Sequence, residues 1–232
     1  MEYLPNQLTL QIPAGCFPLS TDSMALADFV RLPKKARVLD LGSGCGTLGL
    51  MLCAKDPGCQ VTGIELDPAA HEAALDNIRR NGLQARMESI CGDLRQLSGT
   101  MAPGSFSVCV SNPPYFSGGP ASQKTPMARQ TDHCPPEELF RSAAWNLKYG
   151  GDFFLVHKPE YLSHLIVCAS HCNLEAKQLL LLRHREDGPL SLIALRFRKG
   201  GKPGLQIEEA SLFHPDGSPT AYYNTIYHIP PV

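Results

Sequence analysis

The sequence predicts an α/β fold built on a mostly parallel sheet, and three observations carry that prediction. Short apolar segments that read as strands alternate with longer segments that read as helices. A glycine-rich turn, Gly42-Ser43-Gly44-Cys45-Gly46, joins the first strand to the helix that follows it. The segment Ser111-Asn112-Pro113-Pro114-Tyr115 closes the fourth strand, where two prolines forbid its continuation.

The elements follow in chain order. Residues 5–19 read as an irregular or strand-like entry. Ser20-Thr21-Asp22-Ser23 offers N-cap side chains to a helix carrying Met24, Leu26, Ala27, Phe29 and Val30, and Pro33 stops it. Val38 to Leu41 is the first core strand, Leu48 to Ala54 a helix, and Val61 to Ile64 the second strand. Pro68 suits a first helical turn, and that helix runs to about Arg80 before Asn81-Gly82 ends it. Arg86 to Ile90 and Phe106 to Ser111 are strands, and a Gly-, Ser-, Pro- and Thr-rich loop spans 116–136. A helix is expected from Glu137 to Tyr149, then a strand from Phe153 to Val156 and a helix from Tyr161 to Cys172. Lys177 to His184 and Leu190 to Arg198 flank the turn Glu186-Asp187-Gly188-Pro189 and predict a closing antiparallel edge hairpin. The tail after Gly200 holds one more possible strand. The expected whole is a seven-stranded sheet with helices on both faces.

At 232 residues, the chain suits a single domain: 1–35 an N-terminal segment and helix, 36–200 the core, and 201–232 a C-terminal extension. No apolar stretch is long enough to span a membrane, and the N-terminus does not read as a secretory signal. Nine cysteines without a CxxC pair read as reduced, mostly buried thiols, so a cytoplasmic setting is expected. The closest cysteines, Cys168 and Cys172, share one face of their helix. The eight histidines show no metal-ligand spacing, Trp145 reads as core, and no metal is expected. A net charge of −1 argues against a broadly basic nucleic-acid face and leaves room only for a local patch. Arg183, His184, Arg185, Arg196, Arg198, Lys199 and Lys202 form the dense basic cluster that would make one; a solvated sheet edge explains them equally well.

The glycine turn has GxGxG spacing, with Thr47 where a dinucleotide-binding loop has its third glycine. There is little room to wrap a pyrophosphate, so S-adenosylmethionine fits better than NAD. Glu65, 19 residues past Gly46, ends the second strand and can accept both ribose hydroxyls. Gly42, Gly44 and Gly46 would underlie the methionine part, and Asp93 would accept from the adenine amine or simply cap a short helix. With Thr21, Asp40, Leu66, Leu94 and Asn112 these residues form the candidate cofactor set. S-adenosylhomocysteine would be the product.

Asn112, Pro113, Pro114 and Tyr115 are the candidate catalytic residues. The Asn112 side-chain oxygen and the Pro113 carbonyl can both accept from one amino group. The Tyr115 ring can stack on a flat substrate, a contact worth roughly 1–3 kcal/mol per base. That arrangement aims a planar NH2 at a methyl donor, where alignment is the main requirement.

These motifs resemble the Rossmann-like class I methyltransferases with an (N/D)PP(Y/F) signature. More closely, the chain resembles the bacterial tRNA (adenine-N6)-methyltransferase family, over nearly its whole length. Phe17, Ser20 to Ser23, Glu65-Leu66-Asp67, Ala128-Arg129, Gly150-Gly151 and Lys158-Pro159-Glu160 carry the resemblance with the two motifs. It implies a tRNA or other RNA partner, an adenine beside the anticodon of a valine tRNA as acceptor, and Thr21 and Asp22 reaching over the cofactor. An acid usually follows the arginine of the Ala-Arg pair; here Gln130-Thr131-Asp132-His133 follows. Arg129, Arg183, Arg196 and Arg198 are the candidate substrate contacts. Transfer to a protein glutamine N5, to another nucleic acid or to a small amine keeps the chemistry and changes the acceptor. A non-catalytic S-adenosylmethionine-binding protein is the rival outside enzymes, and the intact Asn-Pro-Pro-Tyr speaks against it. The sequence leaves the oligomeric state open.

Overall fold

A computed structural model describes residues 2–4, 7–99, 101–114 and 134–228. The chain begins with a small antiparallel pair, β1 (Glu2–Tyr3) and β2 (Thr9–Leu10). Helix α1 (Thr21–Phe29) follows, then β3 (Arg37–Leu41), α2 (Thr47–Lys55), β4 (Gln60–Glu65), α3 (Pro68–Arg80), β5 (Met87–Cys91) and β6 (Phe106–Ser111). After residue 134 come α4 (Pro136–Asn146), β7 (Leu147–His157), α5 (Leu162–His171), β8 (Leu174–Arg185), β9 (Leu190–Lys199), β10 (Gln206–Phe213) and α6 (Ala221–Ile226).

One eight-stranded sheet has the order β10-β8-β9-β7-β6-β3-β4-β5. Strands β5, β4, β3, β6 and β7 pair in parallel, and β9 runs antiparallel to both β7 and β8. The sequence predicted seven strands with the hairpin at the edge. Instead β10 pairs in parallel with β8 and takes the edge itself. Its outward residues Gln206 to Glu209 are exposed, so the segment lacks the apolar run that marks a buried strand.

Strand alternation builds a core on each face of the sheet. Val38, Val110, Phe154 and Val156 pack with α1 and α2 on one side. Their neighbours Leu39, Cys109, Phe153 and Leu155 pack with α4 and α5 on the other. Phe140 of α4 makes edge-on contacts with Phe153 and Phe197, at centroid distances of 5.4 and 5.1 Å.

Local chemistry sets the helix ends. Ser20 accepts from Ser23 N–H to cap α1, and Asp67 accepts from Ala69 N–H at 2.9 Å to cap α3. Lys55 donates to the carbonyls of Ala27, Asp28 and Val30 at the C-terminus of α1. Helix α4 stops three residues before the predicted Tyr149, because Leu147 turns to extended backbone and pairs with Phe106. Trp145, predicted as core, is 44% exposed. The buried face of α4 is set by Leu139, Phe140, Ala143 and Asn146, and position 145 lies off it. Among the described residues no helix is long and apolar enough to cross a membrane.

Candidate active site

A cavity of about 750 Å³ opens at the carboxyl ends of β3, β4 and β6. This is where an open α/β sheet offers backbone N–H groups and strand-terminal side chains to a ligand. Its walls come from Gly15 to Pro18, Ser20, Asp22 and Ser23, from Gly42 to Cys45 of the glycine turn, and from Glu65 to Asp67, Gly92 to Leu94 and Asn112 to Pro114.

Gly42, Gly44 and Gly46 all have left-handed backbone, with φ of 76°, 54° and 86°. Only glycine takes that conformation readily, so the turn demands its three glycines. The turn is pinned to β4, where the N–H groups of Gly42 and Ser43 both donate to Ile64 C=O at 3.0 Å. A Cβ at Gly63 would sit 2.7 Å from Ser43 Oγ, so β4 can approach this closely only without a side chain there. Gly42 and Gly44 line the cavity. Gly46 is the N-cap of α2, packs on Met87 and Ala74, and does not itself line the cavity.

Glu65 ends β4 with its carboxylate held at both oxygens. Gly44 N–H donates to Oε2 at 2.7 Å and Asp67 N–H to Oε1 at 2.8 Å. These bonds fix the carboxylate plane at the cavity wall while leaving lone pairs free for further donors. Asp40, at the end of β3, also lines the cavity, and burial pushes its carboxyl up to about 7, with Glu65 adding repulsion. Neither Asp40 oxygen has a hydrogen-bond partner of ordinary length among the described residues; the nearby Gly49 N–H offsets only part of the shift. A buried carboxyl bonded this weakly has room for a cation or a further donor from a ligand.

Asn112 leaves β6 into the cavity, and its Nδ2 donates to Ser23 Oγ of α1 at 3.0 Å. The preceding Ser111 anchors the strand end by donating from Oγ to Leu41 C=O at 2.7 Å. Pro113 and Pro114 also line the cavity. Tyr115 and Arg129 lie outside the described residues.

Asp93 and Leu94 border the cavity, with Leu66 on the opposite lip. Asp93 does what a cap does: it accepts from Arg95 N–H at 2.9 Å and pairs with the Arg95 guanidinium. Thr21 does not line the cavity. Its hydroxyl meets Tyr227 Oη at 2.8 Å, while its neighbours Ser20, Asp22 and Ser23 form the wall.

The basic cluster does not form one patch. Arg198 sits towards the end of the sheet away from the cavity and Arg196 in mid-strand opposite Phe154, both paired with Asp152, at 2.9 and 3.1 Å respectively. Arg183 lies at the cavity end, donating to Gly188 C=O at 2.7 Å with Glu209 beyond. Lys199 caps the C-terminus of α4 through Ala144 C=O and Leu147 C=O. Strand alternation and opposite strand directions separate residues that stand close in sequence.

Two residues at the site were not singled out by the sequence. The sequence offers Ser23 as an N-cap candidate and within the segment that carries the family resemblance, with no role of its own. Asn77 of α3, fully buried, donates to Cys45 C=O at 3.0 Å and Gln11 C=O at 2.9 Å and accepts from Gln11 N–H, tying the N-terminal segment to the glycine turn. A lone polar residue on the inward face of an otherwise amphipathic helix was the available signal for Asn77.

The cavity suits S-adenosylmethionine. The doubly held Glu65 carboxylate matches a ribose diol, and the unpartnered Asp40 carboxyl matches a cationic methionine group. The volume admits the cofactor together with a planar acceptor. This fold and this site define a class I S-adenosylmethionine-dependent methyltransferase.

Residues 19–175 match the family model of the methyltransferase small domain, and the chain belongs to that family. It is 31% identical to a tRNA1(Val) (adenine(37)-N6)-methyltransferase of Bacteroides fragilis over 84% of this chain and 83% of that one. A protein of the same name from Photobacterium profundum is 28% identical over 90% of this chain and 89% of its own. The crystal structure of a predicted O-methyltransferase from Agrobacterium tumefaciens superposes with a TM-score of 0.75 at 20% identity. It covers 90% of this chain and 96% of its own, a likeness of fold.

Proposed function

We propose that the enzyme methylates the exocyclic N6 of an adenine in tRNA, with adenine 37 of a valine tRNA as the acceptor that its relatives' names specify. The observation that carries the reading is the Asn112 amide. With Nδ2 committed to Ser23, Oδ1 is the end left to face an acceptor amine.

When bound, S-adenosylmethionine supplies an electrophilic methyl group on its sulfonium. Asn112 Oδ1 and the Pro113 carbonyl each accept one N6 hydrogen, which draws the nitrogen lone pair out of the ring plane and toward the methyl. Pro113 and Pro114 offer no N–H, so the segment presents acceptors alone. The proton lost from N6 passes to solvent after attack, so no separate base is required. Glu65 holds the ribose hydroxyls, Asp40 the ammonium, and Asp93 the cofactor's adenine amine with the capacity left beyond Arg95. Tyr115, next in sequence, supplies a ring for the flipped base. Because Arg196 and Arg198 both pair with Asp152, phosphate contacts fall to cations at the cavity end, Arg183 and Lys158 among them.

Labelled methyl transfer to two valine tRNA transcripts, one native and one with adenine 37 replaced by guanine, tests this. Label released as N6-methyladenosine from the native transcript alone is expected. Equal labelling of both, or of neither, overturns the reading.

A further inference from the structure

We infer that Glu137, His164 and Cys168 form a site for one divalent transition-metal ion, zinc by the chemistry of its donors, on the face of the molecule where α4 and α5 meet. His164 and Cys168 stand four residues apart on one face of α5, and Glu137 comes from the first turn of α4. Their donor atoms converge: His164 Nε2 to Glu137 Oε1 is 3.4 Å, Cys168 Sγ to Glu137 Oε1 is 3.6 Å, and Cys168 Sγ to His164 Nε2 is 3.8 Å.

Those separations carry the inference. Tetrahedral zinc with Zn–N, Zn–O and Zn–S bonds of about 2.0 to 2.3 Å puts its ligands about 3.3 Å apart for N–O, 3.5 Å for S–O and 3.6 Å for S–N. Each observed edge matches its counterpart to within about 0.2 Å, so the three donors outline one face of a tetrahedron. An ion pair joins Glu137 to His164 and a thiol hydrogen bond joins Cys168 to Glu137, so the buried thiol lies within 4 Å of both partners. Thiolate, imidazole and carboxylate together favour zinc over magnesium or calcium, which take oxygen alone. Glu137 and His164 are about half exposed, so the fourth position opens to water and an ion can enter.

Binding replaces the Cys168 thiol proton, which leaves to solvent, and fastens the start of α4 to α5. The site does not use the residues assigned to methyl transfer, and it departs from the expectation of no metal. Histidine spacing could not reveal it, because the third ligand lies on a different helix, 27 residues upstream of His164.

The test uses the full chain, freed of metal by chelation and titrated with Co²⁺ as a visible probe and then Zn²⁺. One Co²⁺ per chain is expected, with thiolate-to-cobalt charge-transfer absorption and the visible bands of tetrahedral cobalt, all abolished by Zn²⁺. Cys168→Ser should remove the charge-transfer band. His164→Ala, at an exposed position that does not threaten folding, should weaken Co²⁺ binding at least ~10-fold, since even outer-sphere partners act on that scale. Cys91→Ser, at an exposed cysteine elsewhere, should change nothing. Absence of the charge-transfer band, binding unaltered in His164→Ala, or a band lost in Cys91→Ser would each overturn the proposal.

Discussion

Ser23 Oγ on α1 accepts from Asn112 Nδ2 at 3.0 Å, across 89 residues of sequence. The bond decides which end of the Asn112 amide faces the cavity, and so whether the site offers a substrate amine an acceptor or a donor. Ser23→Ala removes the restraint without removing Asn112. The methyl-transfer rate at saturating substrates should fall about 10-fold, with cofactor affinity nearly unchanged. Single-turnover kinetics beside a cofactor titration would separate the two. A loss of cofactor affinity with an intact rate would show that Ser23 serves the other ligand.

Glu65 is aimed by Gly44 N–H and Asp67 N–H. Glu65→Gln keeps the shape but replaces one acceptor by a donor, which meets the Gly44 or Asp67 N–H badly. Charge-assisted bonds contribute about 1.5–3 kcal/mol, so S-adenosylmethionine should bind roughly 10- to 100-fold more weakly by calorimetry.

Asp40 gives a pH dependence with a definite sign. Its carboxyl is pushed up to about 7 by burial and by Glu65. Between its unfolded value of 3.8 and 7 the folded chain holds a proton that the unfolded chain has lost. The ligand-free protein therefore has the full Asp40 contribution below about pH 4 and loses it progressively as pH rises to 7, up to about 4 kcal/mol in all. Asp40→Asn should flatten this part of the stability profile and raise the ligand-free Tm at pH 8. It should also weaken cofactor binding, because the cationic group then meets no charge. Wild-type cofactor affinity should rise with pH through 7, as the ionised carboxylate becomes available.

Asn77 uses both amide donors and its amide oxygen from a fully buried position. Asn77→Ala strands the Cys45 and Gln11 backbone groups and should destabilise the fold by about 2–3 kcal/mol. A fall in Tm of roughly 5–10 °C is expected for a domain of this size.

Arg198 donates to both Asp152 oxygens from the Nε–Nη2 edge of its guanidinium, towards the end of the sheet away from the cavity. Arg198→Ala should leave the KM for tRNA unchanged while lowering stability by about 1 kcal/mol or less, since Arg198 is partly exposed. A raised KM would return this end of the sheet to the substrate surface.

Features written in local chemistry were legible in the sequence. The glycine turn, the Asp67-Pro68 start of α3 and the proline stop after β6 each follow from backbone constraints within a few residues. The boundary between α4 and β7 was not legible, because Leu147 is claimed by pairing with Phe106 of β6, about forty residues upstream. Strand β10 shows in the sequence only as one more possible strand in the tail, without its place in the sheet, because an exposed edge carries no apolar signature. The arrangement of the cationic cluster was not legible either, because alternating strands scatter neighbours to opposite ends and faces. Ser23 could not be found without the fold, since its partner is the last residue before the prolines.

The central claim is that Asn112 presents an acceptor to a planar amine. Its most direct test is the single-turnover rate of methyl transfer to native valine tRNA at saturating cofactor, for wild type and Asn112→Ala. The account predicts that the variant still binds S-adenosylmethionine and loses transfer by about 10²-fold or more. Transfer at the wild-type rate, with N6-methyladenosine still formed, would contradict it.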